Sequence, residues 1–343
     1  MTVRVAVVGA GFIGADHAAA YAAQPDATLV GILDTDQARA DVLAVRHGSG
    51  AFTDLDRLLA QARPHAASVC VPTGLHRQVV ERLAAAGVHV LLEKPMAPTV
   101  PDCDAIADAA RHAGIVLMLG LTHRFHAELL EARRLIEEGA IGRPMFAQDA
   151  FSFGEHGPWP AWYYDRAMSG GGELMHDGVH LVDRLQWLLD SPIVEVYGRT
   201  TTYARSIPGV EDGGVAVLAF EGGAIASLFV NEATHPLLSD AATVPMPGRL
   251  ELEIHGSLGS IRYRTWHQLI VDLAGQPSRV VPRTDGDEMS REIREFLDAI
   301  TERRPPIVGA REGRRGIAVI EAIYESERRR RPVLVDELFP SPT

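Results

Sequence analysis

The first third of the chain alternates short apolar runs with amphipathic stretches. Val3, Val5, Ala6, Val7 and Val8 form a mostly β-branched run broken only by Arg4, the pattern of a strand buried on both faces of a parallel sheet. A helix from Gly14 to about Ala23 stops at Gln24-Pro25-Asp26, and Thr28 to Leu33 reads as a second strand. Asp36 caps a helix reaching His47. Ala66 to Val71 is the next strand; Pro72-Thr73-Gly74 and an amphipathic helix from Leu75 to Ala86, ended by Gly87, follow it. Val88 to Leu92 is another buried strand and empties into Glu93-Lys94-Pro95. A helix from Asp102 to His112 ends at Gly114, and Ile115 to Leu119 closes the series as a sixth strand. Alternation of this kind to about residue 121 predicts an open, mostly parallel, doubly wound sheet with right-handed crossovers.

The pattern then changes. His126 to Glu138 reads as a connecting helix, Met145 to Phe153 as a strand, and Gly170 to Gly172 open a long helix from about Glu173 to Leu189. Alternating runs follow at Val194 to Tyr203, Gly214 to Phe220, Ala224 to Val230, Leu250 to His255, Ser260 to Tyr263 and Leu269 to Leu273. The short turns between them predict antiparallel hairpins in one large sheet, with a face that a second subunit would cover. The last two helices, Ser290 to Glu302 and Arg311 to Arg329, are expected to pack back on the first domain, and the run Glu325 to Arg331 to be a solvated helix end. The fold class is therefore α/β, with domains at 1–121 and 122–343.

Composition narrows the function. At 343 residues, 46% hydrophobic and 23% charged, the chain matches a soluble globular protein with room for two cores. A net charge of −12 argues against nucleic acid or an anionic membrane as partner, without forbidding a locally basic pocket. The two cysteines, Cys70 and Cys103, make no disulfide framework, and Cys70 lies in an apolar run, which suits a reducing cytoplasm. Met1 leads straight into the first strand, leaving no room for a signal peptide, and no apolar run approaches the length of a membrane span.

The loop Gly9-Ala10-Gly11-Phe12-Ile13-Gly14 fits G-x-G-x-x-G after a strand and before a helix. The first glycine permits a tight turn, the second leaves room for a pyrophosphate, and the third lets helix and strand pack closely. Asp34, twenty residues past Gly14 at the end of the second strand, can accept the ribose hydroxyls of NAD and would repel the 2′-phosphate of NADP. Arg39 lies nearby and keeps this a preference for NAD. Ligands of such sheets bind beyond the carboxyl ends of the strands. That selects Val71-Pro72-Thr73 with His76, Glu93-Lys94-Pro95, and Thr122-His123-Arg124-Phe125. Lys94 either donates to a substrate oxygen and takes part in proton transfer, or only pairs with Glu93.

In the second domain His176, His180 and Asp183 are spaced i, i+4, i+7 and so share a helical face, while Asp177 faces elsewhere. Three readings stand: His180 is a general base, His176 and His180 are two ligands of a metal, or both are structural histidines. No third metal ligand is evident. Trp159, Trp162, Tyr163 and Tyr164 either stack on a sugar ring or fill core.

Together, GAGFIG at 9 to 14, Asp34, Pro72-Thr73 with His76, Glu93-Lys94-Pro95, Arg124-Phe125, and Gly170-Gly171-Gly172 with Gly178-x-His180-x-x-Asp183 resemble the Gfo/Idh/MocA family. It is named for glucose-fructose oxidoreductase, inositol dehydrogenase and a rhizopine catabolism protein. The likeness reaches to Phe296, Pro305 and the Ala322 to Ser326 region. It implies a Rossmann domain plus an α/β domain with a large open sheet, and NAD(P)-dependent oxidation or reduction of a sugar, cyclitol or related polyol. By that likeness Lys94 polarises the reacting oxygen and helps place the nicotinamide, and His180 is the acid/base. Homodimers or homotetramers joined through the open sheets are usual in the family. The cofactor set is then Gly9, Gly11, Phe12, Ile13, Gly14, Asp34, Pro72, Thr73, His76, Glu93 and Lys94. The substrate set is Lys94, Arg124, Trp162, His176, Asp177 and His180, with Lys94, His180 and His176 catalytic.

One departure stands out. Family members commonly carry Asp four residues before the catalytic His, where this chain has His176, so either the substrate is anionic or His176 shares the acid/base work. His123, Arg124, His126 and Arg166 either add positive potential for a carboxylate or phosphate, or are solvated. Two competing functions remain: an NAD-dependent glycosidase or lyase that oxidises its substrate transiently, and a non-catalytic NAD or sugar sensor. Specificity is expected to lie in the loops Gly154 to Met168 and Glu232 to Arg249.

Overall fold

The structure, a computed structural model, describes residues 2–154, 159–203, 210–234, 248–264, 268–282 and 286–340. The chain divides into two compact units. The first comprises Met1–Phe125 with Gly286–Arg314, and the second His126–Asp285 with Arg315–Thr343.

The first unit alternates strand and helix: β1 (Val3–Val8), α1 (Phe12–Ala22), β2 (Ala27–Leu33), α2 (Gln37–His47), β3 (Gly50–Phe52), α3 (Leu55–Ala62), β4 (Ala66–Val69), α4 (His76–Ala85), β5 (His89–Glu93), α5 (Val100–Ala113) and β6 (Leu117–Gly120). All six strands are parallel, in the order β3-β2-β1-β4-β5-β6. The order reverses between β1 and β4, where open sheets of this kind bind their ligands. Side-chain oxygens open the helices. Asp36 accepts from the N–H groups of Ala38 and Arg39, Asp54 from Arg57, and Thr99 from Asp102. Residues 48–65, left without elements by sequence pattern, hold β3 and α3. The strand is only three half-buried residues, too short to show a period, and α3 buries Leu55, Leu58 and Ala62.

The second unit begins with α6 (Ala127–Glu137), β7 (Pro144–Gly154) and the short α7 (Arg166–Ser169), and continues through one widened turn, Leu174–Gly178, into α8 (Val179–Leu189). There follow β8 (Ile193–Thr201), β9 (Gly213–Phe220), β10 (Ile225–Thr234), β11 (Gly248–Gly256), β12 (Gly259–Arg264), β13 (Gln268–Leu273) and β14 (Arg279–Pro282). The long helix anticipated from about Glu173 is thus a π-type turn followed by α8, and the strict stacking of His176 over His180 is lost. Glu211 lies at the start of that turn. It grips the main chain at Gly172 and Leu174, as described below.

The C-terminal segment is shared. α9 (Glu288–Glu302) belongs to the first unit, where Ile293, Phe296 and Leu297 are buried. α10 (Ala310–Arg329) was expected there in full, but it belongs to the first unit only to Arg314. Up to that point Gly313 sits against Met96 and Leu119, whereas Gly316 meets Val179, Ile320 lies near Gly178, and Ile323 fills the space over Gly198. β15 (Val333–Leu334) and α11 (Val335–Leu338) complete the chain.

The sheet of the second unit runs β14-β13-β12-β11-β7-β10-β9-β8-β15, antiparallel throughout except where β10 lies parallel to β7. Inward positions such as Leu218, Leu228, Leu252 and Ile254 are fully buried. On the other face Ile225 pairs beside Phe146, Phe229 beside Val215, and Val217 beside Tyr197, and all six are exposed. Among the described residues no helix is long and apolar enough to cross a membrane.

Beneath the helical face lies a buried ion pair. Arg184 of α8 donates Nε to Asp149 of β7 at 2.7 Å and Nη2 to its other carboxylate oxygen, and both side chains are fully buried. Burial pushes the Asp149 carboxyl up to about 6, with the guanidinium pulling against it. Arg184→Met, which strands that carboxyl, is expected to cost about 3–5 kcal/mol in urea unfolding, and Asp149→Leu with Arg184→Met to recover most of the loss.

Candidate functional site

In the first unit the glycine loop is shaped by close approaches. Gly9 has φ +106°, and a Cβ there would lie 2.4 Å from the Cys70 carbonyl oxygen. A Cβ on Gly14 would lie 1.8 Å from the Gly9 carbonyl oxygen, so α1 starts where only glycine fits. Gly11 differs: nothing lies within 4 Å of its Cβ position. It is also the N-cap of α1 and provides no side-chain cap, so the first N–H groups of the helix face that open space. Such a cradle fits a pyrophosphate.

Asp34 ends β2 and is nearly buried. Its Oδ2 accepts the Ala10 N–H at 2.9 Å and its Oδ1 the Asp36 N–H at 2.9 Å, which ties the carboxylate to the glycine loop. Arg39 reaches Asp34 at 3.0 Å and Asp36 at 3.5 Å. Phe12 is exposed at the tip of the loop and Ile13 half-buried.

At the neighbouring strand ends, Thr73 is buried and Pro72 half-buried. His76 is buried, with Nε2 2.9 Å from the Val71 carbonyl oxygen and Nδ1 3.2 Å from that of Met96. Its ring braces the exit of β4 against the segment after β5, and burial holds its pKa below the usual imidazole value. Glu93 turns inward. Its Oε1 lies 3.0 Å from His17 Nε2, and its Oε2 accepts the Lys94 main-chain N–H at 3.1 Å. The Lys94–Pro95 peptide is cis. Arg124 is buried and donates to the Ile307 carbonyl at 3.3 Å.

In the second unit the site grows from Gly170–Gly172. The Glu211 carboxylate accepts the N–H groups of Gly172 at 3.0 Å and Leu174 at 3.1 Å and the Tyr324 hydroxyl at 2.7 Å, while its own carbonyl takes the Glu173 N–H at 3.1 Å. A Cβ on Gly172 would lie 1.8 Å from that same carbonyl oxygen. The turn so held presents His176 and His180, both nearly buried, with Asp183 buried on α8. The His176 ring stacks on Tyr163, centroids 3.6 Å apart and planes 10° apart, and Trp162 meets it edge-on. Tyr163 is core, sandwiched between His176 and Trp159, while both tryptophans are half-buried.

Asp177 turns toward Glu173, and Trp159 donates its indole N–H to Glu232. Burial, then the charges of Asp177 and Glu232, push the Glu173 carboxyl well above the usual range. Of the cationic residues expected either to add positive potential or to be solvated, His123 is half-buried, Arg124 is bonded as above, His126 lies 3.1 Å from the Tyr263 hydroxyl, and Arg166, which is exposed, lies over the Tyr324 ring at 4.6 Å. No group of three His, Cys, Asp or Glu able to hold a metal occurs among the described residues. Of the two specificity loops, residues 155–158 and 235–247 lie outside the described residues.

Sequence reasoning passed over Glu211, His17 and Glu292, which act through partners distant along the chain. It also passed over a signal in plain view, since Lys94 is the only lysine in the protein.

Residues 3–121 match the GFO_IDH_MocA family model, described as an oxidoreductase family with an NAD-binding Rossmann fold, and residues 129–262 match the GFO/IDH/MocA C-terminal domain. D-glucoside 3-dehydrogenase of Escherichia coli K12 is 31% identical over 196 residues, 56% of this chain and 55% of that protein, so the match spans about half its length. Inositol 2-dehydrogenase of Rhizobium meliloti is 26% identical over 98% of this chain and 100% of its own. Among solved structures, levoglucosan dehydrogenase in complex with NADH has a TM-score of 0.89 at 24% identity, covering 98% of this chain and 99% of that one, a likeness of fold.

Gly11 offers a test of the cradle. Gly11→Ala is expected to leave stability within about 0.5 kcal/mol, because the added methyl meets nothing, yet to weaken NAD binding at least about tenfold in calorimetric titration.

Proposed function

Since this chain belongs to the Gfo/Idh/MocA oxidoreductase family, we propose that it is an NAD(H)-dependent dehydrogenase or reductase acting on a hydroxyl or ketone carbon of a sugar or cyclitol. One observation carries the reading. A chain that uses arginine for every other long cationic side chain keeps a single lysine, in the segment leaving a parallel strand where such sheets place their ligands. Arginine cannot release its proton in a protein, and lysine can.

When bound, NAD supplies the hydride acceptor. The N–H groups at the start of α1 hold the pyrophosphate, and Asp34 takes the ribose hydroxyls. Arg39, already paired with Asp34 and Asp36, supports NAD over NADP. Lys94 donates to the reacting oxygen and stabilises its charge, and His180 takes the hydroxyl proton. His176, fixed against Tyr163, stands where the family resemblance leads one to expect Asp. The carboxylates of Asp177 and Glu232 beside that turn favour a neutral or amino-bearing sugar over a uronate or sugar phosphate. Cys70 and Cys103 are not joined as a disulfide, which suits a reducing compartment such as the cytoplasm.

The test is a panel of neutral sugars, cyclitols, amino sugars, uronates and sugar phosphates assayed with NAD and NADP in both directions. Reduced nicotinamide should accumulate with a neutral or amino-bearing member. Turnover without net reduction would instead favour transient oxidation, and binding without turnover a sensor. His180→Ala should keep NAD affinity and lower kcat by about 10²-fold or more; unchanged turnover would remove it from the mechanism.

The exposed apolar face of the nine-stranded sheet supports a homodimer or homotetramer formed through it. Phe229→Asp is expected to give a folded monomer by light scattering, and an unchanged mass would place the contact elsewhere.

A further inference from the structure

Behind Lys94, in the first unit, lies a buried polar chain. Its end is Glu93, whose two carboxylate oxygens face His17 Nε2 at 3.0 Å and the Lys94 main-chain N–H at 3.1 Å. Room for that rotamer comes from Gly120 on β6, where a Cβ would lie 2.7 Å from Glu93 Oε1. The other imidazole nitrogen lies 2.9 Å from Ser68 Oγ, which in turn lies 2.9 Å from the Tyr21 hydroxyl. His17, Ser68 and Tyr21 are fully buried.

The proton positions follow from the partners. A carboxylate only accepts, so His17 donates from Nε2; in the tautomer that leaves Nδ1 without a proton, Ser68 donates to Nδ1 and itself accepts from Tyr21. Burial pushes the Tyr21 phenol far above its usual value, so it stays a donor. The acids facing the cluster come from three directions. Burial and the Glu93 charge push Glu292 of α9 well up, against the hydroxyl that Thr122 donates at 3.0 Å, so Glu292 keeps its proton. Burial, then the Glu93 charge, hold Cys70 up as a neutral thiol. Asp16, at the surface of α1, is pushed up by burial and by the Glu93 charge.

We propose that Tyr21, Ser68 and His17 form a positioning relay that holds the Glu93 carboxylate as a fixed anion beside Lys94, and that this anion sets the protonation of the one lysine. Burying four polar groups in a row costs more than an apolar replacement would. The return is a charge of fixed place and sign against the Lys94 main-chain N–H. The relay deepens the role given to Lys94 in the proposed function and rests on that role only for its effect on turnover.

The single lysine makes the test direct. Reductive methylation with ¹³C-formaldehyde labels Lys94 and the α-amine alone, and NMR then follows the Lys94 titration in the full-length protein, with the α-amine as internal reference. In His17→Ala the Lys94 midpoint should fall by about one pH unit or more, because the ammonium loses the anion that stabilises it. His17→Gln, whose amide N–H reaches toward Glu93, should restore it, and Tyr21→Phe should shift it the same way by less. Should His17→Ala not fold, Tyr21→Phe carries the test, since it keeps the ring and removes only the donor. A midpoint unchanged in the folded variants overturns the relay. A lowered midpoint with unchanged turnover leaves the relay standing and removes Lys94 from catalysis.

Discussion

The main chain of this protein is pressed hardest against itself at Gly14 and Gly172, and the candidate chemistry of each unit hangs from one of them. At Gly14 and at Gly172 a Cβ would lie 1.8 Å from a carbonyl oxygen, well inside any allowed contact. The first approach starts α1 tightly against the end of β1 and leaves the helix N-terminus without a side-chain cap. The second lays the glycine run on Glu211, which then takes the next N–H groups and opens the widened turn that carries His176. Helix N–H groups left without partners favour an anion. A widened turn re-aims the side chains that a regular helix would stack. Both units thus turn a missing methyl group into a presented functional group.

Those glycines also mark the border between what the sequence discloses and what it withholds. Strand β1, the glycine loop and Asp34 are legible because the pattern is local and the spacing carries the meaning. The alternation of the second sheet is legible for the same reason. The widened turn is not, because Glu211, whose carboxylate takes the N–H groups at its start, lies 39 residues beyond Gly172, just before β9. α10 shows the same limit. Its apolar stripe is plain in the sequence, yet nothing in a stripe says which partners it meets, and the structure gives Gly313 to Met96 and Leu119 but Ile323 to Gly198. The motif residues of the candidate site were readable one at a time; the inward turn of Glu93 and the stacking of His176 on Tyr163 depend on partners from elsewhere in the chain.

Buried acids are treated in two ways. Asp149 is paired with Arg184 in a bidentate contact, and the pair serves to fix α8 on the sheet. Glu292 and Glu173 are instead placed near other carboxyls, so that burial and like charge keep a proton on each. A buried carboxylic acid is a hydrogen-bond donor and a neutral spacer, and it leaves the neighbouring anion, Glu93 in the first unit, as the charge that matters.

That distinction gives the use of arginine its meaning. With one lysine among 33 basic side chains, the remaining cations hold their protons at any accessible pH. They serve as fixed charges: Arg184 under the sheet, Arg166 over Tyr324, Arg39 on Asp34. An amine that can give up and recover a proton is confined to one side-chain position, and that position follows the inward-turned carboxylate of Glu93. A substitution of Lys94 by arginine would keep the charge and the reach but remove the exchange of the proton, which separates the electrostatic part of its role from the acid–base part.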